Sequence, residues 1–185
     1  MKRLATILSI FFFSILTAST ANAQTDGADI YISASAEAAP PNGVGFWIRI
    51  GIFNAETGKE YTSKILEPPS RNAVIEHVPA GKYVVEFIKI PIGDTSWENW
   101  SSELLDYFGT FEVKAGEAYY LGMYEVTNEG GNLNDRKFVL SYKDDKLPKD
   151  LVKQLRRRNL PTESLIPIVP RDKTKKLAEA PLILY

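Results

Sequence analysis

The chain has no cysteine and one histidine, His77, among its 185 residues. Without cysteine there can be no disulfide, iron–sulfur cluster, thiolate-bound zinc or thiol nucleophile. A single histidine excludes multi-histidine metal sites and leaves one candidate for a histidine base. There is no G-x-S-x-G nucleophile elbow and no glycine-rich phosphate loop. No run approaches 18 apolar residues, the length at which a membrane-spanning helix is read. Neither sign of charge dominates overall, with 22 Lys+Arg against 23 Asp+Glu. What is present is a 44% apolar composition, enough for one domain to bury a core without cross-links.

The first residues read as an address. Lys2 and Arg3 precede an apolar run from Leu4 to Leu16, and small residues lead to Ala21-Asn22-Ala23. This is the three-part pattern of a secretory signal with an A-x-A cleavage site. The run of about 13 apolar residues is too short to span the hydrocarbon core as a helix. The expectation is a signal peptide at 1–23 and a mature chain from Gln24, exported to a bacterial periplasm. No cysteine stands at the cut to carry a lipid.

Charge is segregated along the rest of the chain. Residues 24–142 carry 9 Lys/Arg against 17 Asp/Glu, whereas residues 143–176 carry 11 against 5. An acidic body followed by a basic segment predicts a tail that meets an anionic partner or folds back on its own body.

Alternation dominates the middle of the chain. Asp29–Ala36 reads as a first strand. In Val44–Phe53, Phe46, Ile48, Ile50 and Ile52 share one face, and Trp47, Arg49 and Gly51 the other. Lys59–Leu66 and Ala73–Val78 are weaker strands. In Lys82–Ile90, Tyr83, Val85, Phe87 and Lys89 fall on one face, with Val84, Glu86, Ile88 and Ile90 on the other. Thr95-Ser96-Trp97-Glu98 has capping-box spacing, and Trp97, Trp100, Leu104 and Phe108 follow at helical intervals, which predicts a short helix within 92–106. Strands resume at Tyr107–Lys114, Ala118–Val126 and Arg136–Lys143. Pro148 then opens a helix with Leu151, Val152 and Leu155 as its apolar stripe and Arg156-Arg157-Arg158 at its end. No regular element is assigned to 161–185. Short strands between turns, without β-α-β alternation, predict an all-β antiparallel sandwich with a short inserted helix and a C-terminal amphipathic helix. The expected division is a β-sandwich domain at 24–143 and a basic helix with a proline-containing tail at 144–185.

Val78-Pro79-Ala80-Gly81-Lys82-Tyr83 and Val113-Lys114-Ala115-Gly116-Glu117-Ala118-Tyr119-Tyr120 share a Val-x-Ala-Gly turn feeding a tyrosine-bearing strand. The first resembles an element of transthyretin-like domains, including carboxypeptidase-regulatory-like modules. The second resembles an element of small exported bacterial proteins of the same architecture. The resemblance covers roughly residues 44–143. It implies a transthyretin-like or immunoglobulin-like sandwich used for binding, spacing or assembly, and it carries no catalytic residue and no cofactor.

Several chemistries compete for the remaining features. His77 reads as an ordinary strand histidine in preference to a catalytic base. The loop Asn128–Asp135 holds oxygen ligands that would suit calcium, but it lacks EF-hand spacing and reads as a hairpin loop. Trp47, Trp97 and Trp100 are candidates for an aromatic glycan platform. Lys149, Lys153, Arg156, Arg157 and Arg158 are candidates for contact with an anionic partner. Leu182, Leu184 and Tyr185 are candidates for adding a strand to a partner's sheet. The favoured expectation is a non-enzymatic periplasmic interaction or assembly module of the cell envelope. Its partner would be an envelope protein or polymer, with at most peripheral membrane contact and no nucleic acid. The competing expectation is a carbohydrate- or envelope-polymer-binding module using the tryptophans.

Overall fold

A computed structural model describes residues 27–36, 47–66, 71–92, 95–99, 102–129 and 137–178. The described chain is mostly β, in two sheets. The strands are β1 (Ala28–Ala36), β2 (Arg49–Asn54), β3 (Glu60–Thr62), β4 (Lys64–Ile65), β5 (Asn72–Val78), β6 (Gly81–Ile92), β7 (Thr95–Asn99), β8 (Phe111–Val113), β9 (Ala118–Asn128), β10 (Phe138–Asp144), β11 (Leu165–Pro167) and β12 (Leu177–Ala178). Two α-helices, α1 (Glu103–Phe108) and α2 (Lys149–Arg157), and a 3-10 turn at Thr162–Ser164 complete the order.

The larger sheet runs β12-β10-β9-β1-β5-β4, and β11 joins it on β9. The smaller runs β3-β2-β6-β7, with β8 on β6. The inner faces of the two sheets share one apolar core. Ile30, Ile32 and Leu121 come from the larger sheet, Ile50, Ile52 and Val85 from the smaller, and α1 adds Leu104, Tyr107 and Phe108. The alternation of Ile48, Ile50 and Ile52 survives intact in that core. The chain crosses between sheets at Ser63. This residue is buried, its N–H donates to Ile50 O and its hydroxyl accepts from Ile50 N–H, each at 2.8 Å. The single weak strand expected at Lys59–Leu66 is thus two short strands in different sheets.

Other expectations also require correction, among them the strand at Tyr107–Lys114, whose Tyr107 and Phe108 end helix α1 and of which only Phe111–Val113 is strand. The sheet is not wholly antiparallel, because β1 and β11 both run parallel to β9. Parallel neighbours need long crossovers, and between β1 and β9 the chain travels through the whole smaller sheet. The helix expected from Thr95 is also absent. Thr95–Asn99 is strand β7, pairing with β6 from Ile88 to Ile92, and the helix begins at Glu103. A long strand offering an open edge outweighs a local capping pattern, since each paired residue satisfies backbone groups that a six-residue helix largely leaves open. The strict alternation in β6 fails as well. Gly51 opposes Phe87 and Ile52 opposes Val85, so Glu86 bulges out and the phase reverses. Val85 and Ile88 therefore both face the core, while Phe87 leaves it and packs over Gly51, where a Cβ would fall 2.1 Å from the ring. Finally, 165–178 is not without regular structure, since β11 and β12 both return to the larger sheet.

The two Val-x-Ala-Gly turns share a physical device. The Tyr83 hydroxyl donates to Pro79 O at 2.9 Å, and the Tyr119 hydroxyl accepts from Lys114 N–H at 2.9 Å. In each case a tyrosine just past the glycine reaches back and clamps the turn. Gly116 holds φ +79°, which only glycine adopts without strain.

Candidate interaction surface

Helix α2 lies on the outer face of the larger sheet. Leu151 and Leu155 are fully buried against Tyr31, Val74, Tyr120 and Leu66 in a second apolar cluster, rimmed by Leu147, Leu160 and Leu165. The basic segment is folded back on its own body, so this sheet is covered on both faces. Val152, expected in the apolar stripe, is only half-buried, and Gln154 takes the buried position in its place.

A polar latch fastens the helix where the leucines end. Asn72, on β5, is 1% exposed. Its carbonyl oxygen accepts from the Ser33 hydroxyl at 2.7 Å, and its amide donates to Asp150 Oδ2 at 2.8 Å and Gln154 Oε1 at 3.1 Å. The Gln154 amide in turn donates to Leu66 O at 3.0 Å. Strands β1 and β5, the segment after β4 and helix α2 are joined in one chain of satisfied buried groups, the condition under which such networks rigidify instead of destabilising.

The C-terminal end of α2 is tied by charge. Arg158 Nη1 pairs with Glu76 Oε1 at 2.8 Å, and Lys64 pairs with the other carboxylate oxygen. Burial alone would raise the Glu76 carboxyl, but the hydrogen bonds and charges of Lys64 and Arg158 outweigh it and hold it below the usual range. Burial, followed by the neighbouring Asp29 charge, drives the Tyr31 hydroxyl beneath this network upward. Arg158 therefore ties the end of the helix to β5.

Lys149, Lys153, Arg156 and Arg157 are exposed. At 3.6 residues per turn they fall within an arc of about 100°, opposite Leu151 and Leu155. Asp150, at the flank, is engaged by Asn72. Glu163 is the acid that feels Arg156, although hydrogen bonds from its own backbone and Thr162 contribute more to its lowered carboxyl. Helix α2 is thus a rigid bar, apolar below and cationic above.

The remaining candidates fare differently. Trp47 is half-buried and outside both apolar clusters. The Trp97 side chain and the whole of Trp100 lie outside the described residues, as do Leu182, Leu184, Tyr185, the segment 1–23 and most of the loop Asn128–Asp135. His77 is exposed at a bulge in β5, with φ +56° and its N–H donated to Asp29 Oδ1 at 3.2 Å. Among the described residues, no three His, Cys, Asp or Glu side chains gather to hold a metal, and no helix is long and apolar enough to cross a membrane. A cleft of about 160 Å³ lies between β9, β11 and the loops around α2, lined by Tyr120, Asp145, Leu147, Thr162, Leu165 and Pro167. It is smaller than the ~300 Å³ at which ordinary small-molecule pockets begin.

The latch was not anticipated from sequence. Gln154 offered the available signal, being a polar residue flanked by apolar positions on the buried side of α2.

No protein-family model matches the chain, and no curated protein matches it. Among solved structures it is similar to a Bacteroides fragilis protein described as a "putative cell adhesion protein", at 12% identity, with 68% of this chain and 47% of that one covered and a TM-score of 0.28. The match spans less than half of that protein's length, and a likeness so distant carries no argument about function.

Proposed function

We propose that this chain is a non-enzymatic interaction or assembly module of the bacterial cell envelope, exported to the periplasm and built on a β-sandwich of transthyretin-like or immunoglobulin-like type. The observation that carries the reading is the docked α2, which spends its apolar side on the protein's own sheet and turns Lys149, Lys153, Arg156 and Arg157 outward. A fixed array of like charge on an otherwise acidic body favours one class of partner and steers its approach. The shared core of the two sheets and the clamped Val-x-Ala-Gly turns support the sandwich assignment. The basic start, apolar run and A-x-A site support export.

In-cell cross-linking of the exported protein, followed by pull-down, tests the reading. It should recover a defined envelope partner. Turnover of a substrate by purified protein, or the absence of any cross-linked envelope component, would overturn it. The contribution of Leu182, Leu184 and Tyr185 is tested by removing 179–185 alone, because a longer cut would remove β12 and β11 from the sheet.

A further inference from the structure

Resting on that reading, we infer that the outward face of α2 binds a linear anionic polysaccharide, with Lys149, Lys153 and Arg156 as the contacting row. Three properties of the face select this ligand. First, the row is continuous and fixed. Lys149, Lys153 and Arg156 stand at i, i+4 and i+7, so their backbone positions rise about 6 Å and then about 4.5 Å along the axis. The latch of Asn72, Asp150 and Gln154 below, with the Arg158–Glu76 pair at the end, prevents the row from turning to follow a partner. A regular row of cations suits a chain whose anionic groups also repeat at short intervals.

Second, the row lacks what a bilayer or a folded protein would use. Leu151 and Leu155 are buried against the sheet, and Val152, half-buried, is the one other apolar side chain of α2. Interfacial helices insert an apolar face, and the Trp, Tyr and Arg anchors of protein interfaces act from well-packed, desolvated pockets. Neither is offered here. Third, no aromatic side chain lies on α2 to stack a base, which disfavours single-stranded nucleic acid. A hydrophilic polymer with carboxylate, sulfate or phosphate groups needs none of these.

The test is titration of the purified chain at low salt with polygalacturonate and dextran sulfate, using neutral dextran, phosphatidylglycerol vesicles and single-stranded DNA as the other arms. The two anionic polysaccharides should bind, neutral dextran should not, and affinity should fall steeply as salt is added. Lys149→Gln/Lys153→Gln/Arg156→Gln should weaken binding about tenfold, within the sum expected of three exposed charge contacts. Lys59→Gln/Lys82→Gln/Lys114→Gln, which removes as much charge elsewhere, should leave it within about twofold. All six residues are exposed, and an unchanged circular dichroism spectrum confirms that each variant is folded. Equal loss in both triple variants, binding of neutral dextran, or tighter binding to vesicles or DNA overturns the inference. Envelope cross-links that persist in the α2 variant would sink the inference and leave the interaction module standing. Absence of cross-links in the unaltered chain would sink the broader reading.

Discussion

Replacing Asn72 with alanine removes the central member of the latch while leaving every apolar contact of α2 in place. Two buried groups lose a partner: the hydroxyl of Ser33, which is fully buried, and the side-chain oxygen of Gln154, which is 6% exposed. Asp150 is exposed and turns to water. The Gln154 oxygen is then stranded, at about 1–3 kcal/mol, and the Ser33 hydroxyl, which keeps its hydrogen bond with Tyr120, loses one bond at about 1 kcal/mol, so Asn72→Ala should destabilise the protein by about 2–4 kcal/mol. That is a large share of the total stability of a single domain and should lower the urea midpoint by roughly 1–2 M. Two further measurements separate the latch from simple loss of volume. In a double-mutant cycle with Gln154→Ala, the pair should couple by more than about 0.5 kcal/mol, as groups in one network do. Limited trypsin digestion at Arg156–Arg158 should accelerate, because cleavage requires α2 to lift from the sheet. Strict additivity, or an unchanged midpoint and digestion rate, would refute the claim that these hydrogen bonds hold the helix.

Other consequences follow from the same structure. The Glu76 carboxyl is held below its ordinary value, so its contribution to α2 docking is present above the ordinary pKa of about 4.5 and is lost as pH falls through the lower folded value; trypsin susceptibility should rise on acidification in that range, and Glu76→Gln should flatten the dependence. Gly122 has φ +102° and a Cβ there would lie 2.6 Å from Tyr142, whereas Gly58 has φ +69° with open space around it. Gly122→Ala should therefore lower the melting temperature clearly more than Gly58→Ala, whose cost is about 1 kcal/mol. Tyr83→Phe removes the clamp on Pro79 and should cost about 0.5–1.5 kcal/mol by urea denaturation, with the fold retained.

Much of the scaffold was legible because half-buried strands write their faces into alternate residues. Ile48, Ile50 and Ile52 point where their spacing says. Legibility failed wherever a single residue broke the period. Glu86 bulges and reverses the faces of β6, and the extra residue at Leu121–Gly122 does the same between Tyr119 and Tyr124 in β9. Neither break has a local signature stronger than a carboxylate or a glycine in an apolar run. The segment 95–99 misled because its aromatic and capping spacing is helical, while the open edge of β6 that captures it is a tertiary fact. The parallel pairing of β1 with β9 was hidden for the same reason, since the two lie about ninety residues apart. In the candidate surface, the basic residues and two of the three apolar positions of α2 were apparent from spacing. Which cations remain outside was not, because that depends on Glu76 of β5 capturing Arg158.

Because the chain has no cysteine, the orientation of α2 can be measured directly by thiol labelling of single-cysteine variants under native conditions. Leu151→Cys and Leu155→Cys should react slowly, at a rate set by transient opening of the helix, and Lys149→Cys and Lys153→Cys should react about as fast as a free thiol. Comparable rates at all four positions would show that α2 is not seated on the sheet, and the outward cationic row would lose its basis.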